Sequence, residues 1–317
     1  MHCRRAFLAA ALLLPAAAFA QPAQKPIRII VPFAPGASAD GIARVVANGL
    51  AERLGRPVVV ENNTGAGGSL GLMALAKAPP DGDTIGISAT GALLINPYLP
   101  GSTSPEMLKE LAPIAKLIEV GVVMVAHPAT GPKSIADVIA QSKARPDGLS
   151  YGSTGTHTGQ HITGEMFKKA TGANLTHIPY RGSTPAVLDV VAGQIPLAIV
   201  DITSAYPQVQ AGKVRALGVG ETKRSRAAPE IPTIAEGGVP GFGRTGGFIE
   251  LFAPAGTPPA TIRRISAEVA EILNTPAAQA NVKTLTATIE YEDETTFANF
   301  LAGEAAKWKV VLKDLFN

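Results

Sequence analysis

The stretch VPFAPGASADGIAR, residues 31–44, places small and polar residues where an apolar segment gives way to helix-like spacing. Glycine turns at the start of a helix let backbone N–H groups point at an anion, so this pattern indicates anion binding. A phosphate loop would continue with a Lys-Ser or Lys-Thr pair, whereas here the loop contains no lysine and Ile42, Val45 and Val46 follow it. The loop therefore favours an anion that carries less charge than a nucleotide phosphate.

Ser38 and a pair of histidines suggest two other kinds of chemistry. Ser38 lacks the G-x-S-x-G setting of a hydrolase nucleophile, and no His–acid pair can be assigned to it, so we expect no enzyme activity. His157 and His161 are four residues apart and could begin a metal site, but no nearby carboxylate or cysteine completes a set. We expect neither a metal nor another cofactor. His161 could instead face a ligand, cap a helix or be structural.

Two charged residues lie in loops that could reach a ligand. Arg181 could clamp a carboxylate, although a solvated loop arginine is the simpler interpretation. Asp201 could accept a hydrogen bond from a hydroxyl or amine of a ligand, or could cap the helix that follows it. The sequence leaves both alternatives open.

A repeated unit must position these residues. Five apolar segments each end in a loop that opens helix-like spacing, namely Ile27–Val31, Val58–Val60, Leu149–Tyr151, Leu175–Ile178 and Pro196–Val200. Strands that alternate with helices predict an α/β fold with parallel sheets covered on both faces. Because ligands of such sheets bind outside the carboxyl ends of the strands, the loops predict a cleft lined by helix N-termini.

The N-terminus is typical of an export signal. Arg4 and Arg5 precede an apolar run from Ala6 to Ala18, and Ala18-Phe19-Ala20 offers a cleavage site before Gln21. The apolar run is shorter than the roughly 20 residues that a membrane span needs. Residues 1–20 are therefore predicted to be a signal peptide. It would direct export by the Sec pathway or, given the paired arginines, by the Tat pathway.

The composition excludes several classes of partner. Removing the signal peptide takes away two of the 28 lysines and arginines and none of the 25 acids, so the mature chain is close to neutral. No basic stripe suggests nucleic acid or an anionic membrane. Cys3 lies before the cleavage site, so the mature chain has no disulfide and no thiol nucleophile. We expect an exported protein that is a monomer.

The chain is predicted to cross twice between two lobes. Loop-like residues 95–113 and the extended segment 114–128 end one α/β set, and the Gly/Pro-rich residues 231–247 precede a further strand. One predicted lobe comprises residues 21–123 and 243–317, and the other comprises residues 124–242. The C-terminal helices, including the one that holds Trp308, are predicted to return to the first lobe.

Nearly the whole predicted mature chain resembles one family. Nine segments carry the resemblance: VPFAPGASAD, VVVENNTGAGG, PPDGDTIGI, INPYL, YGSTGTHTGQHITGEMF, HIPYRGSTPAVLDVVAGQIPL, AGKVRALGV, PEIPTIAEGGVPGF and LFAPAGTP. Their order and spacing are similar to those of the substrate-binding proteins of tripartite tricarboxylate transporters, also called Bug or TctC-like receptors. The resemblance implies a two-lobed periplasmic-binding-protein fold, type II-like, whose hinged cleft closes over a small organic carboxylate.

The resemblance also implies which residues face the ligand and which partners the protein has. Backbone N–H groups, hydroxyls and ordered water bind carboxylates in this family, with few or no cationic side chains. The implied partners are the carboxylate and the membrane subunits of a tripartite tricarboxylate transporter. An exported receptor that signals to a membrane sensor kinase is the alternative. The ligand-facing positions carried over are Gly36, Ala37, Ser38, Asp40, Ala66, Gly67, Gly68, Thr90, Gly91, Ser153, Thr156, His161 and Asp201.

Some positions depart from the family pattern. Ala37 and Ala39 stand where the family usually has Gly and Thr, Leu93 where a histidine is common, and Gly247 where a tryptophan is frequent. The missing ring at residue 247 predicts either a roomier pocket or a wall restored by Phe248 or Ile249. The identity of the ligand does not transfer across these changes.

Overall fold

The first of two β-sheets is built from both ends of the chain. The computed structural model describes residues 25–99, 102, 104–243, 245 and 247–316. The predicted signal peptide, with Cys3, lies outside these residues. The first sheet has the strand order β11-β4-β10-β3-β1-β2. Its strands are β1 (Ile27–Val31), β2 (Val58–Asn62), β3 (Thr84–Ile87), β4 (Leu111–Val120), β10 (Gly247–Pro254) and β11 (Ala287–Glu292).

The second sheet is formed by the middle of the chain. Its strand order is β7-β6-β8-β5-β9. The strands are β5 (Val122–Ala126), β6 (Leu149–Ser153), β7 (Leu175–Pro179), β8 (Leu197–Asp201) and β9 (Arg215–Val219). The chain therefore changes sheets at Gly121 and returns between Val219 and Gly247. The exact lobe boundaries at residues 123/124 and 242/243 remain a prediction.

The expectation of purely parallel sheets is wrong, because both sheets are mixed. In the first sheet β1 pairs in parallel with β2 and β3, whereas β10 runs antiparallel to β3 and β4. In the second, β6 pairs in parallel with β7 and β8, whereas β5 runs antiparallel to β8 and β9. The reason is the direction in which the chain crosses between the sheets. β5 is the first strand after the chain passes to the second sheet, and β10 is the first strand after it returns to the first sheet. Each therefore starts at the edge of its sheet where the parallel strands end.

Helices connect the strands and cover the sheets. In α8 (Pro259–Leu273) the buried residues Ile262, Ile265, Val269 and Ile272 recur at the three- and four-residue spacing of one helical face. None of the described helices is both long enough and apolar enough to cross a membrane. The helices are α1 (Ser38–Leu54), α2 (Ser69–Ala76), α3 (Met107–Glu110), α4 (Ile135–Ala144), α5 (Gly159–Thr171), α6 (Ser183–Val191), α7 (Ile202–Gln210), α8 (Pro259–Leu273), α9 (Pro276–Thr284) and α10 (Glu294–Phe316).

The C-terminal helix α10 packs on the first sheet. Phe297 of α10 is fully buried, and its ring centroid lies 5.3 Å from that of Phe252 on β10. Trp308 and Leu312 are buried in the same apolar cluster. The last residues of the chain therefore reach the layer that contains β1 and β3, and Trp308 lies close to the ends of those strands that face the second sheet.

Candidate binding site

A cavity of about 60 Å³ lies between the two sheets, at the carboxyl ends of their parallel strands. Both halves of the molecule and both crossings between them contribute to its wall. The first half supplies Phe33, Ala37, Ala39, Ser88, Ala89, Thr90 and Gly91; the second supplies Thr154, Thr158, Gly159, Gln160, Ser183 and Asp201; the crossings supply Val120, Val122, Thr245, Gly247, Phe248 and Ile249; and α10 supplies Trp308.

Three helices begin at this cavity. Ala37 precedes α1, Gly159 opens α5 and Ser183 opens α6, and all three residues line the cavity. Ala37 and Gly182, the residues just before α1 and α6, supply no side-chain cap within the described chain. N–H groups of the first turn lack helical partners, and each helix N-terminus carries roughly half a positive charge. The cavity is therefore suited to an anion without a cationic side chain.

Asp201 joins the two halves of the site. Ser38 donates from its hydroxyl to Oδ2 of Asp201 at 2.8 Å, and Gln160 donates from Nε2 to Oδ1. The backbone N–H of Asp201 donates to the hydroxyl of Ser183 at 3.1 Å. Burial raises the pKa of Asp201, and the hydrogen bonds from Ser38 and Gln160 oppose that rise. The side chain makes no capping hydrogen bond to α7, so its contacts are all directed towards the cavity wall.

Asp40 stabilises the loop that precedes α1, from the side that faces away from the cavity. Its carboxylate accepts hydrogen bonds from the N–H of Gly36 at 3.1 Å, from Asn62 at 3.0 Å and from two nitrogens of Arg44 at 2.9 and 3.0 Å. Burial raises the pKa of Asp40, but the hydrogen bonds from Arg44, Asn62 and Gly36 outweigh it, so the pKa lies below the usual range. Asp40 therefore orients β1, β2 and the start of α1 relative to one another, and it does not line the cavity.

Glycine-rich loops from the two halves touch beside the cavity. A Cβ added to Gly67 would lie 2.6 Å from the carbonyl oxygen of Thr156, and one added to Gly91 would lie 2.5 Å from that of His157. The N–H of Ala34 donates to the carbonyl oxygen of Arg181 at 3.2 Å. Absence of side chains at these glycines is what allows the two backbones to approach, so the structure has a closed cleft.

The predicted site residues fall into three groups. Ala37, Thr90, Gly91 and Asp201 line the cavity, and Ser38 is hydrogen-bonded to Asp201 at its edge. A neighbouring groove of about 430 Å³ includes Arg181 and four further predicted residues, Ala66, Gly67, Gly68 and Thr156. The remaining predicted residues do not line the cavity; they are Gly36, Asp40, Ser153 and His161. Gly36 lies close to α6, since a Cβ added to it would be 3.5 Å from the hydroxyl of Thr184.

Ser153 and His161 belong to a histidine cluster inside the second half. The rings of His161 and His177 lie 4.0 Å apart, and His177 Nε2 lies 2.6 Å from the hydroxyl of Ser153. Burial is the main cause that lowers the pKa of His161 to about 3 and that of His177 to about 4, so both rings are neutral near pH 7. Nδ1 of His161 accepts the N–H of His157 at 3.0 Å, which fixes the turn before α5.

A carboxylate lies near this cluster, contrary to the expectation that none is close to the two histidines. Oε1 of Glu165, one helical turn after His161, lies 3.7 Å from Nε2 of that ring. Even so, the described part of the chain brings together no set of three or more His, Cys, Asp or Glu side chains that could hold a metal ion.

Several lining residues were not predicted. Gln160 follows Gly159 in the stretch THTGQH, and its position beside a predicted ligand loop was an available signal. Val120 and Val122 flank Gly121 and alternate along the crossing segment, so both point to the same side. Trp308 is distant in sequence, and only the packing of α10 brings it to the cavity.

Gly247 lines the cavity, as the family resemblance implies. A Cβ added there would meet nothing within 4 Å, while Phe248 and Ile249 also line the wall. The ring of Phe248 packs edge-on against Phe300 at 4.9 Å. Phe248 and Ile249 contribute to the wall beside Gly247 while the space next to Gly247 itself is open, so the effect of residue 247 on pocket size stays a prediction.

Comparison with known proteins agrees with this architecture. Protein BugT of Bordetella pertussis is 36% identical over 308 residues, which is 96% of this chain and 93% of BugT. The structure of the periplasmic binding protein BugD superposes with a TM-score of 0.85 at 30% identity and covers 92% of this chain and 98% of BugD. Rpa4515 of R. palustris, solved with adipate, superposes with a TM-score of 0.86 at 28% identity and covers 92% of this chain and 97% of that protein.

These similarities confirm the two-lobed periplasmic-binding-protein fold. BugD is a periplasmic binding protein, and Rpa4515 was solved with adipate, a small carboxylate. A sequence model described as the tripartite tricarboxylate transporter family receptor matches residues 42–316. That match covers most of the chain, from the first turns of α1 to the end of α10. The chain therefore belongs to the tripartite tricarboxylate transporter receptor family.

Proposed function

We propose that this chain captures a small organic carboxylate in the periplasm and delivers it to the membrane subunits of a tripartite tricarboxylate-type transporter. The observation that carries the proposal is the convergence of the N-termini of α1, α5 and α6 on one cavity between the two sheets. Three partial positive charges of this kind can stabilise one carboxylate without a buried cation. The adipate bound by Rpa4515 supports the same ligand class. The role is that of a receptor and not of an enzyme.

The predicted ligand-facing positions are part of this proposal. The starts of α1 and α5 would bind the carboxylate from opposite sides, with Ala37 and Thr90 from one lobe and Gly159 from the other. Gly67, Gly68 and Thr156 would shape the mouth of the cleft, since they line the groove beside the cavity. Export through a signal peptide at residues 1–20 would place the receptor in the periplasm as a monomer.

Melting experiments with ligand-free protein test the proposal. The mature chain is unfolded and refolded to remove bound ligand and is then mixed with short mono-, di- and tricarboxylates and with their neutral amides. A ligand of about micromolar affinity has a binding free energy of roughly −8 kcal/mol, and it stabilises the fold by about 2.7 kcal/mol at 100 times its Kd. We expect an acid to raise Tm and its amide to leave Tm unchanged. Absence of any shift across the panel would refute carboxylate capture.

Transport itself is tested in cells. Separate strains are made, each lacking either this gene or one adjacent membrane-subunit gene. Each strain should lose uptake of the identified carboxylate. Loss of a transcriptional response without loss of uptake would instead support the sensor role.

A further inference from the structure

The turn between β6 and α5 contains a residue in a conformation that side chains rarely adopt. His157 has a φ of 59°, which lies in the left-handed region where the Cβ of an L-residue crowds the backbone. Glycine enters this region without that cost. A residue with a side chain stays there only where its surroundings hold it. The conformation of His157 must therefore be held by contacts from outside its own backbone.

His161, in the first turn of α5, supplies such a contact. Its Nδ1 accepts the backbone N–H of His157 at 3.0 Å. Because an acceptor nitrogen carries no proton, the neutral ring must carry its proton on Nε2, which lies 3.7 Å from Oε1 of Glu165. The ring is only 9% exposed, and its centroid lies 4.0 Å from that of His177. The packing of the ring and its tautomer thus both direct the acceptor nitrogen towards the turn.

The same turn forms one side of the contact between the lobes. A Cβ added to Gly91 would lie 2.5 Å from the carbonyl oxygen of His157, and one added to Gly67 would lie 2.6 Å from that of Thr156. Thr158, the next residue, caps α5 and lines the cavity. A change in the backbone at residue 157 would therefore displace two carbonyl groups that meet the other lobe, and a part of the cavity wall.

We propose that His161 is a positioning residue for ligand capture, whose Nδ1 holds residues 156–158 in the conformation that lets the lobes close over the cavity. His161 acts from outside the cavity wall, which it does not line. The inference rests on the proposed function, since it concerns closure over the carboxylate captured there. It gives an indirect role to a position that the family resemblance places against the ligand.

Nuclear magnetic resonance of the ligand-free mature protein tests the geometry. Burial is the main cause that lowers the pKa of His161 to about 3, so its ring is neutral at pH 7. Spectra that correlate ring nitrogens with ring protons should place the proton on Nε2. The amide proton of His157 should exchange with solvent at least about tenfold more slowly in the wild type than in His161→Leu. A proton on Nδ1 would overturn the proposal.

Calorimetry with succinate, malate and adipate tests the effect on capture. His161→Leu fills the buried position but removes the acceptor, so it should bind these acids at least about tenfold more weakly than the wild type. His161→Asn offers an amide oxygen as acceptor close to the position of Nδ1, and it should stay within about threefold of the wild type. Circular dichroism and thermal melts establish that each variant is folded.

His127→Leu is the matched control. Nδ1 of His127 accepts the backbone N–H of Thr130 at 3.1 Å, so this substitution removes a hydrogen bond of the same kind from the same lobe. His127 follows β5, whose opposite end lies at the cavity. The affinity for all the acids should therefore stay at the wild-type value.

Substitutions of His157 separate the effect of the backbone from that of the ring. His157→Gly and His157→Ala both remove the ring, but only glycine adopts the left-handed conformation readily. In the His157→Gly background, adding His161→Leu should weaken binding by less than about threefold, since the turn no longer needs to be held against strain. In the His157→Ala background, the same addition should keep its full effect.

The outcomes separate the two proposals. If a carboxylate binds equally tightly to the wild type and to a folded His161→Leu protein, the role of His161 is refuted and carboxylate capture stands. An equal loss on adding His161→Leu to either substitution of His157 would assign the effect to packing of the ring, which also refutes the proposal. If no carboxylate binds the wild type, both proposals fail. Where His161→Leu does not fold, His161→Phe, which keeps a ring but has no acceptor, takes its place.

Discussion

Asp40 lies in the first turn of α1 and Asp201 at the end of β8, and their surroundings differ. Asp40 accepts hydrogen bonds from Gly36, Asn62 and Arg44 of its own lobe. Asp201 accepts from Ser38 of the other lobe and lines the cavity. The first aspartate therefore contributes to the stability of a lobe, and the second to the site between the lobes.

Replacing Asp40 with Asn tests its structural role. We expect Asp40→Asn to lower the free energy of unfolding at pH 7 by about 1–3 kcal/mol, because it weakens charged hydrogen bonds to a buried side chain. Because the pKa of Asp40 is lowered in the folded protein, its contribution is present above the usual aspartate pKa near 4 and is lost as pH falls through the folded value.

Urea unfolding between pH 7 and pH 3 measures the difference in free energy of unfolding between the wild-type protein and Asp40→Asn. This difference should become smaller as the pH falls. Asp147→Asn, at an exposed position, is the control and should change little at any pH. A difference that stayed constant over this range would show that the charge of Asp40 is not what stabilises the loop.

The sequence could predict which loops meet at the cleft, but not which side of each loop faces it. Ser38 and Asp40 are two residues apart at the start of α1, and a helix rotates by about 100° per residue, so their side chains point in nearly opposite directions. Without the exact start of the helix, both positions look equally suited to a ligand. His161 presents the same problem at the start of α5, where its neighbour Gln160 is the one that reaches the cavity.

At the scale of elements, the segment that joins β4 to β5 separates two environments. Val120 and Val122 line the cavity, whereas Glu119 and Gly121 line a groove on the opposite side together with Glu221. Glu221 Oε1 accepts the N–H of Val122 at 2.8 Å. Burial, with a smaller contribution from Glu119, raises the pKa of Glu221 to about 7, although the N–H of Val122 opposes the rise.

Replacing Glu221 with Gln should remove one source of pH dependence. A carboxyl whose pKa is raised on folding stabilises the protein fully below its unfolded pKa near 4.5, and this contribution is lost as pH rises through about 7. The Tm of Glu221→Gln should therefore rise relative to the wild type between pH 5 and pH 8. Thermal melts of both proteins in matched buffers check the trend.

A second substitution distinguishes the cause. Glu119→Gln removes a like charge and so lowers the folded pKa of Glu221; the fall in Tm should then be complete at a lower pH than in the wild type, while the trend itself stays in place. If Glu221→Gln follows the wild-type Tm in parallel from pH 5 to pH 8, then Glu221 is ionised throughout and burial does not raise its pKa.

The elements themselves were largely predictable, and their directions were not. The five strand–loop–helix units are visible because apolar runs alternate with loops of glycine and hydroxyl residues. The antiparallel placement of β5 and β10 carries no such local signal. It follows from the side on which the chain enters each lobe, which is a property of the tertiary arrangement.

At the scale of the whole molecule, two backbones approach closely at Gly91, and we expect closure of the lobes to depend on this approach. A Cβ there would lie 2.5 Å from the carbonyl oxygen of His157 in the opposite lobe, so at least one backbone must move. Gly91 does not require a positive φ, and alanine can therefore adopt its conformation within the lobe. We expect Gly91→Ala to keep each lobe folded and to hinder their contact.

Small-angle scattering with and without a bound carboxylate measures closure. The radius of gyration should decrease on binding for the wild-type protein and for Gly303→Ala, a control in α10 whose added Cβ meets nothing within 4 Å. Gly91→Ala should contract less and should bind at least about tenfold more weakly. Equal contraction and equal affinity in a folded Gly91→Ala protein would mean that the two loops do not need this approach.

The position of Trp308 gives the protein a built-in optical reporter. It is the single tryptophan of the chain, it lies near the C-terminus, and its indole forms part of the cavity wall. Indole emission responds to the polarity around the ring, so under excitation selective for tryptophan the fluorescence originates at the cavity in which we propose that the solute binds. Occupancy of the cleft can thus be followed in unlabelled protein, and any truncation that removes the end of α10 loses both a wall of the site and its signal.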